Sequence, residues 1–383
     1  MKKHKLALAL AAGLVLLCAC GQENDVPDPV LPGSDPGRPS GTPSVEIISS
    51  SEYPEFIPQE DTQPPQEGMV HSRLTNEWVE ADVAETRPIA VMTPNEYNAQ
   101  PHYSLSKASV VYEANVEGRM TRLMAIYEDW ADLGQIGNVR SLRTYYAYWA
   151  FEWDAVILHT GQPFFVDALL AEPNTQTINE SQFPDSVAFY RDEGRPRPHN
   201  AYVSGQTILD AVDRKGYSLN YRGLADNQHF RFTGTDNQNT LEQYDTDAKS
   251  AVYIDMSGCY PVTRCYFDYN AADGLYYRSQ YLSGGEDGPH IDAVTGEQLT
   301  FKNILVQNIK YEDLGEGYMA FQCQDSTEDG WYFTNGKGIH VNWQKSSDYG
   351  ATKFYDDYGN EIVLNTGKTM ICVVKTGDNF TFR

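Results

Sequence analysis

Positive charge is what this chain has least of: 29 lysines and arginines stand against 53 aspartates and glutamates over 383 residues, a formal net charge of −24. That balance repels polyphosphates, so nucleic acid and direct docking on anionic lipid are poor partners. Also missing are a Walker loop, a dinucleotide-binding glycine fingerprint, a nucleophile elbow, a zinc-protease helix and paired CxxC motifs, which removes the most readily recognised enzyme classes. No cofactor is expected. Nor is a metal, because no two ligand-type side chains have close, fixed spacing. A membrane-spanning run is absent too: the apolar stretch from Leu6 to Leu17 is too short to cross a bilayer as a permanent helix.

That stretch, preceded by Lys2, Lys3 and Lys5, reads instead as an export signal over residues 1–19. The junction Leu17-Cys18-Ala19-Cys20-Gly21 resembles the bacterial lipoprotein box, which implies lipidation at Cys20 and attachment to the extracytoplasmic face of the cell membrane through acyl chains alone. Loss of the three leader lysines takes the formal charge to −27. Residues 20–85 follow as an acidic, proline-rich tether: from residue 21 to 85 there are fourteen acids against Arg38 and Arg73. About fifty such residues reach roughly 40 Å as a flexible coil, further with proline and self-repulsion.

Regular pattern begins at Arg87. "PIAVM" reads as a buried strand, and "SVVYEANVEGRMTRLMAIYED" as two strands joined by a two-residue turn at Gly118-Arg119. That register places Ala114 and Val116 on one face with Leu123 and Ala125, and Glu113, Asn115 and Glu117 on the other with Arg122. Ser141 is then a helix cap, with Leu142, Tyr145, Tyr146, Trp149 and Trp153 at helical spacing. "DAVILHT" is a strand buried on both faces, and "PFFVDALLAE" and "GQTILDAVDRKG" are helices. Strands interleaved with helices make residues 86–225 an α/β layered domain. From residue 226 to 383 short alternating segments and a closing hairpin, "EIVLNTGKTMICVV", predict a mainly antiparallel all-β domain, barrel or sandwich. The overall class is α+β. Four cysteines lie there, and an exported setting permits disulfides: Cys259 with Cys265 across a Tyr260-Pro261 turn, and Cys323 with Cys372 across strands, against the alternative of four buried free thiols.

Scarce positive charge is concentrated at one place. Arg140 precedes the expected cap and Arg143 falls in the first turn, where the helix end already carries partial positive charge and cations are disfavoured. A carboxylate or phosphoryl group placed there would meet backbone amides and two bidentate forks. The competing reading is an internal carboxylate, Glu113 or Glu117, closing the site. The loop "YRDEGRPRPHN" adds Arg191, Arg195, Arg197, His199 and Asn200, and His159 stands at the carboxyl end of its strand. Ligand-binding candidates are therefore Arg140, Arg143, Arg191, Arg197 and Asn200.

Catalytic candidates are His159, His199, Glu113 and Asp154. Glu113 and Glu117, four residues apart on a strand, lie about 13 Å apart at Cα, too far to act as an acid and base pair. Diagonal pairing of both with Arg122 is their structural reading. Arg278, His290, Asp292 and Asn303 fall in or beside turns of the second segment, where turn hydrogen bonding accounts for them.

The stretches "RPIAVM", "LSKASVVYEANVEGRMTRLMAIYED", "GNVRSLRTYYAYWAFEWDAVILHTGQP", "YRDEGRPRPHN", "YYRSQYLSGGEDGPHIDAVTGEQLTFKNILVQ" and "GKGIHVNWQK" resemble the YerB-like bacterial lipoproteins, a two-domain family of unknown function. The four β-segment cysteines and Pro94-Asn95, where members tend to carry Asp-Asn, are departures. The resemblance implies an envelope-anchored protein with an α/β and a β domain, and it supplies no catalytic residue. The leading expectation is a noncatalytic binding or adaptor module for an anionic wall component or an acidic segment of an envelope protein. The alternative is a hydrolase or transferase on a wall glycan or phosphodiester polymer, with His159 or His199 as general base and arginines stabilising developing charge.

Overall fold

A computed structural model describes residues 55–183, 187–283 and 285–383. The leader and Cys20 lie outside the described residues. The chain is α+β, and its centre is one mixed sheet of eleven strands. In chain order these are β1 (Ile89–Pro94), β2 (Val110–Asn115), β3 (Thr121–Tyr127), β4 (Val156–His159), β5 (Thr177–Asn179), β6 (Lys249–Ser250), β7 (Asn303–Ile309), β8 (Asp325–Thr334), β9 (Lys337–Lys345), β10 (Lys353–Asp356) and β11 (Thr369–Lys375). Their spatial order is β6-β9-β8-β7-β11-β2-β3-β1-β4-β5, with β10 also on β9. A six-stranded antiparallel sheet built on Leu275–Ser283 accompanies it.

Strand β11 does not close a hairpin. Val363–Asn365 pairs in parallel with Arg231–Thr233, and β11 enters the sheet between β7 and β2, parallel to both. Its composition explains this: "TMICVV" has no polar face, so it is stable only where both faces are covered. Strands from residues 86–225 and from 226–383 thus share one ladder, through β2 and β11.

The two faces of the sheet carry separate cores. One, with Tyr112, Met124 and Ile371, is covered by α1 (Thr144–Phe151), which is apolar on nearly every side and accordingly buried. The other, with Val111, Leu123 and Cys372, packs on α2 (Gly205–Lys215) and on Ile254, Phe267 and Tyr276 of the second sheet. Helix α2 follows sequence rules closely. Ser204 and Thr207 form its capping box, and Gly216 ends it at φ +66°, a left-handed conformation that costs glycine nothing. By contrast "PFFVDALLAE" yields only a 3₁₀ turn, Phe164–Val166, and a single α turn, Asp167–Leu170.

Two local expectations are corrected. The β2–β3 register pairs Asn115 with Thr121, Ala114 with Arg122 and Glu113 with Leu123, one residue away from a two-residue loop. Glu117 belongs to the turn, where Gly118 and Arg119 both have positive φ (+67° and +61°). A one-residue slip exchanges faces, so Arg122 lies with Ala114 and away from Glu113. Helix α1 begins at Thr144 with Arg143 in the cap position and no side-chain cap. Ser141 cannot cap it because residues 140–142 are bonded elsewhere: the Arg140 N–H donates to Met92, the Leu142 N–H to Gly161, and the Ser141 carbonyl accepts from Arg122.

The disulfide expectation is also overturned. Cys259, Cys265, Cys323 and Cys372 are free and buried. Cys323 and Cys372 belong to the cores on opposite faces of the sheet and cannot meet. Cys265 points its thiol at Glu113 Oε2, 3.5 Å away, rather than at Cys259. Burial raises all four thiol pKa values, so they pack as small apolar groups.

Candidate functional site

The mouth of α1 gathers three guanidinium groups. The segment from Arg140 to Leu142 is fixed by the ends of two strands: Arg140 donates its N–H to Met92 of β1, and its carbonyl accepts from Thr160, just past β4. Arg122 rises from β3 and donates through Nη1 to the Ser141 carbonyl at 2.5 Å. Arg143 donates through Nε and Nη2 to both oxygens of Glu117, each at 2.5 Å, and through Nη1 to the Leu142 carbonyl. The internal carboxylate that meets the helix-mouth arginines is therefore Glu117, and it takes one of them. Glu117 is drawn below its usual range because, although burial raises it, the Arg143 hydrogen bonds and charge outweigh that.

Two guanidinium groups keep no such partner. Arg122 is 5% exposed, its Nε has no hydrogen-bond partner, and no carboxylate lies within 4.0 Å among the described residues. Burial, then repulsion from Arg143, pushes it down to about 10. Arg140 is half-buried, and its only side-chain hydrogen bond among the described residues is one of 3.4 Å to Ser141 Oγ. It too is lowered, first by burial and then by Arg143, with Glu96 and Glu117 opposing. A buried cation without an anion is costly. The arrangement is short of negative charge.

His199 joins this cluster from the "RPRPHN" loop, its Nε2 3.4 Å from Glu96 Oε1 and its Nδ1 buried without a partner. Burial holds it below its usual value, with Glu96 pulling upward and Arg140 downward. The rest of that loop serves other ends. Arg191 is spent on Glu180 Oε2 (2.5 Å) and Asn200 Oδ1 (2.6 Å), and Asn200 returns a bond to the Asp192 carbonyl. Arg195 ties the loop to the carbonyls of Ala99, Gln100 and Pro101. Arg197 is exposed and makes no ion pair among the described residues.

The catalytic candidates do not converge. His159 is wholly buried, donating Nδ1–H to Gly161 at 3.0 Å while Nε2 has no partner, and burial lowers it to about 4. Asp154 is enclosed by Arg222 (2.5 Å) and Arg87 (3.4 Å). Glu113 is fully buried on the other side of the sheet.

There Glu113 anchors a network whose members are scattered along the chain with no local pattern to join them. Its Oε2 accepts from Arg278 Nη2 at 2.7 Å, and its Oε1 from Thr121 (2.6 Å) and Asn95 (2.8 Å). Arg278 also donates to Gln280 Oε1 and to His290 Nδ1. Because His290 accepts at Nδ1, it must donate from Nε2 to His102 Nδ1 (2.7 Å), and His102 then donates from Nε2 to the Pro94 carbonyl (2.8 Å). Both rings are neutral: burial lowers His102 to about 4 and holds His290 well below its ordinary value, with Arg278 adding to the effect. Beside them Asp292 accepts the backbone amides of Ser104 and Ser106. Turn hydrogen bonding holds for Asp292, whose Oδ1 also accepts the Val294 amide at 2.8 Å, but it does not describe Arg278 and His290; these two, and Asp292 through the Ser104 and Ser106 amides, join the two segments of the chain. The Pro94-Asn95 turn is polar in both its carbonyl and its amide. Asn303, likewise, is buried in β7 and bonds Asn365 and Tyr332.

A single mixed sheet, an α1 mouth rich in arginine and a buried charge relay at the joint define an α+β protein with two sequence segments folded on one ladder. Family models match both segments: residues 74–218 fit "Protein of unknown function (DUF3048) N-terminal domain" and residues 254–371 fit the DUF3048 C-terminal domain. The chain belongs to this family. It is 27% identical over 288 residues to "Putative lipoprotein YerB" of Bacillus subtilis (strain 168), covering 75% of this chain and 82% of that protein. The crystal structure of YerB protein from Bacillus subtilis superposes with a TM-score of 0.67 at 25% identity, over 80% of this chain and 96% of that one.

Proposed function

We propose that the chain is a lipid-anchored, extracytoplasmic binding protein that recognises an anionic group of an envelope polymer or partner protein at Arg140 and Arg143, with Arg122 behind them. The lipoprotein name of the Bacillus relative supports the anchored location, as does the Cys20 box, and no helix among the described residues is long and apolar enough to cross a membrane. One observation carries the ligand class: Arg122 is buried and Arg140 half-buried, with no carboxylate within 4.0 Å of either among the described residues, at a helix end that no side chain caps. An incoming phosphoryl or carboxylate group supplies the missing charge and accepts from the Arg140 fork.

The geometry favours binding over hydrolysis. A general base must reach its substrate, whereas His159 Nε2 is sealed in the core and His199 is buried, with Nδ1 enclosed and Nε2 turned to Glu96. Co-sedimentation of the full-length protein in detergent with envelope fragments, before and after extraction of their phosphodiester polymers, tests the reading. Retention that falls on extraction and in Arg140→Ala supports it. Equal retention of wild type and Arg140→Ala on intact and extracted fragments rules it out.

A further inference from the structure

A cleft of about 520 Å³ opens at the opposite end of the sheet from the arginine cluster. Its wall residue Thr366 leads into β11 at the end paired with Val110, whereas Glu117 lies beyond the other end of β2. Its volume is in the range of ligand sites, about 300–1,000 Å³. One wall is the 59–63 segment, bound to the body through the Gly234 N–H donating to the Gln59 carbonyl at 2.6 Å and the Asp61 carboxylate accepting from the Thr235 N–H and hydroxyl, each at 2.9 Å. Gly234 is required: a Cβ there would stand 2.2 Å from Asp61 Oδ1.

The lining chemistry is selective. Trp78 is its only apolar side chain, and the remainder are amides, hydroxyls and carboxylates, including Gln63, Asn76, Glu77 and Asp236. One face of the Trp78 indole is stacked on His71 at 3.8 Å, which fixes the ring. His71 is itself placed between two backbone carbonyls, that of Asn76 2.8 Å from Nδ1 and that of Asp61 2.8 Å from Nε2. Among the described residues, Gln63, Glu77, Trp78 and Asp236 make no side-chain hydrogen bond, which leaves them for a ligand. Four carboxylates without a lysine or arginine repel phosphates and other anions. A single apolar residue does not desolvate a lipid tail. A rigid aromatic face flanked by planar hydrogen-bonding groups matches a pyranose ring, whose C–H face stacks while its hydroxyls pair with amides and carboxylates.

From this we infer that the cleft is a saccharide-binding site, separate from the anion site. Isothermal titration of the full-length protein in detergent with three probes tests it: an N-acetylglucosamine tetramer, its fully deacetylated form, and cadaverine as an amine without a sugar. Saturable binding of either oligosaccharide is expected, weakened at least tenfold by Trp78→Ala, largely retained in Trp78→Phe, lost in Gly234→Ala, and unchanged in Arg140→Ala. Absence of saturable binding to both oligosaccharides overturns the assignment, as does binding indifferent to Trp78→Ala. Cadaverine binding as tightly as the deacetylated tetramer makes the cleft a cation site and overturns it equally.

Discussion

Arg122, Arg140 and Arg143 are adjacent and differently provided for: one is paired, one is half-buried with a single weak bond, and one is buried with an orphaned Nε. Glu117 competes with any visiting anion for Arg143. Replacing it with glutamine is expected to tighten anion binding several-fold while lowering stability by about 1 kcal/mol, since the pair is only partly shielded from solvent. Titration calorimetry and urea unfolding on the same preparation check both signs. Histidine sets a second expectation. His102 and His159 are lowered to about 4 from an ordinary value of 6.5, and His290 is held well below that ordinary value, each first by burial. The unfolded chain takes up these protons near 6.5 and the folded chain does not, so stability is fully present above 6.5 and is lost as pH falls from there toward 4. Each histidine contributes up to about 1.4 kcal/mol per pH unit across that window. The urea midpoint should therefore begin to drop below pH ~6.5, and His159→Gln should make the decline shallower. A flat profile down to the carboxylate range would contradict it.

At the level of elements, sequence and structure part where tertiary bonding outbids local preference. The strands "PIAVM" and "DAVILHT" and helix α2 were legible because each carries its own signal, a continuous apolar run or a capping pair. The β2–β3 turn differs by one residue because the loop takes in Glu117 as well as Gly118 and Arg119, closed by the Val116 N–H donating to the Met120 carbonyl, and a glycine followed by a left-handed residue suits a two-residue loop equally well. That slip put Glu113 on the face of Arg122 and hid its real partner, Arg278. Helix α1 starts late because Arg122, from a different strand, claims the Ser141 carbonyl. The Arg143–Glu117 half of the site was legible as an alternative, whereas the relay from Glu113 to His102 joins residues up to 188 apart in sequence and carries no local mark. Glu113→Gln should cost about 3–5 kcal/mol by leaving Arg278 buried without its counter-charge, and Glu113→Gln with Arg278→Met should recover part of that. Additive losses in a denaturant double-mutant cycle would show that the two groups are not coupled.

Across the whole molecule, the strand nearest the carboxyl terminus of the main sheet lies in its middle. β11 pairs with β7 on one side and β2 on the other, so each segment's block of strands relies on the other to pair its inner edge. Residues 86–225 expressed alone should therefore lack a cooperative transition, while the intact chain should show coincident loss of far- and near-ultraviolet circular dichroism. Two separated transitions in the intact protein would show that the segments fold independently despite the shared ladder. The same architecture puts the arginine cluster and the saccharide-type cleft at opposite ends of one rigid sheet.

The most direct test of the anion-recognition account is calorimetric titration of the full-length protein with a soluble phosphodiester oligomer, comparing wild type, Arg140→Ala and Glu117→Gln at low and moderate salt. The account predicts opposite signs: affinity falls at least tenfold in Arg140→Ala, rises in Glu117→Gln, and weakens with salt for all three. Wild-type affinity unchanged by either substitution would contradict it.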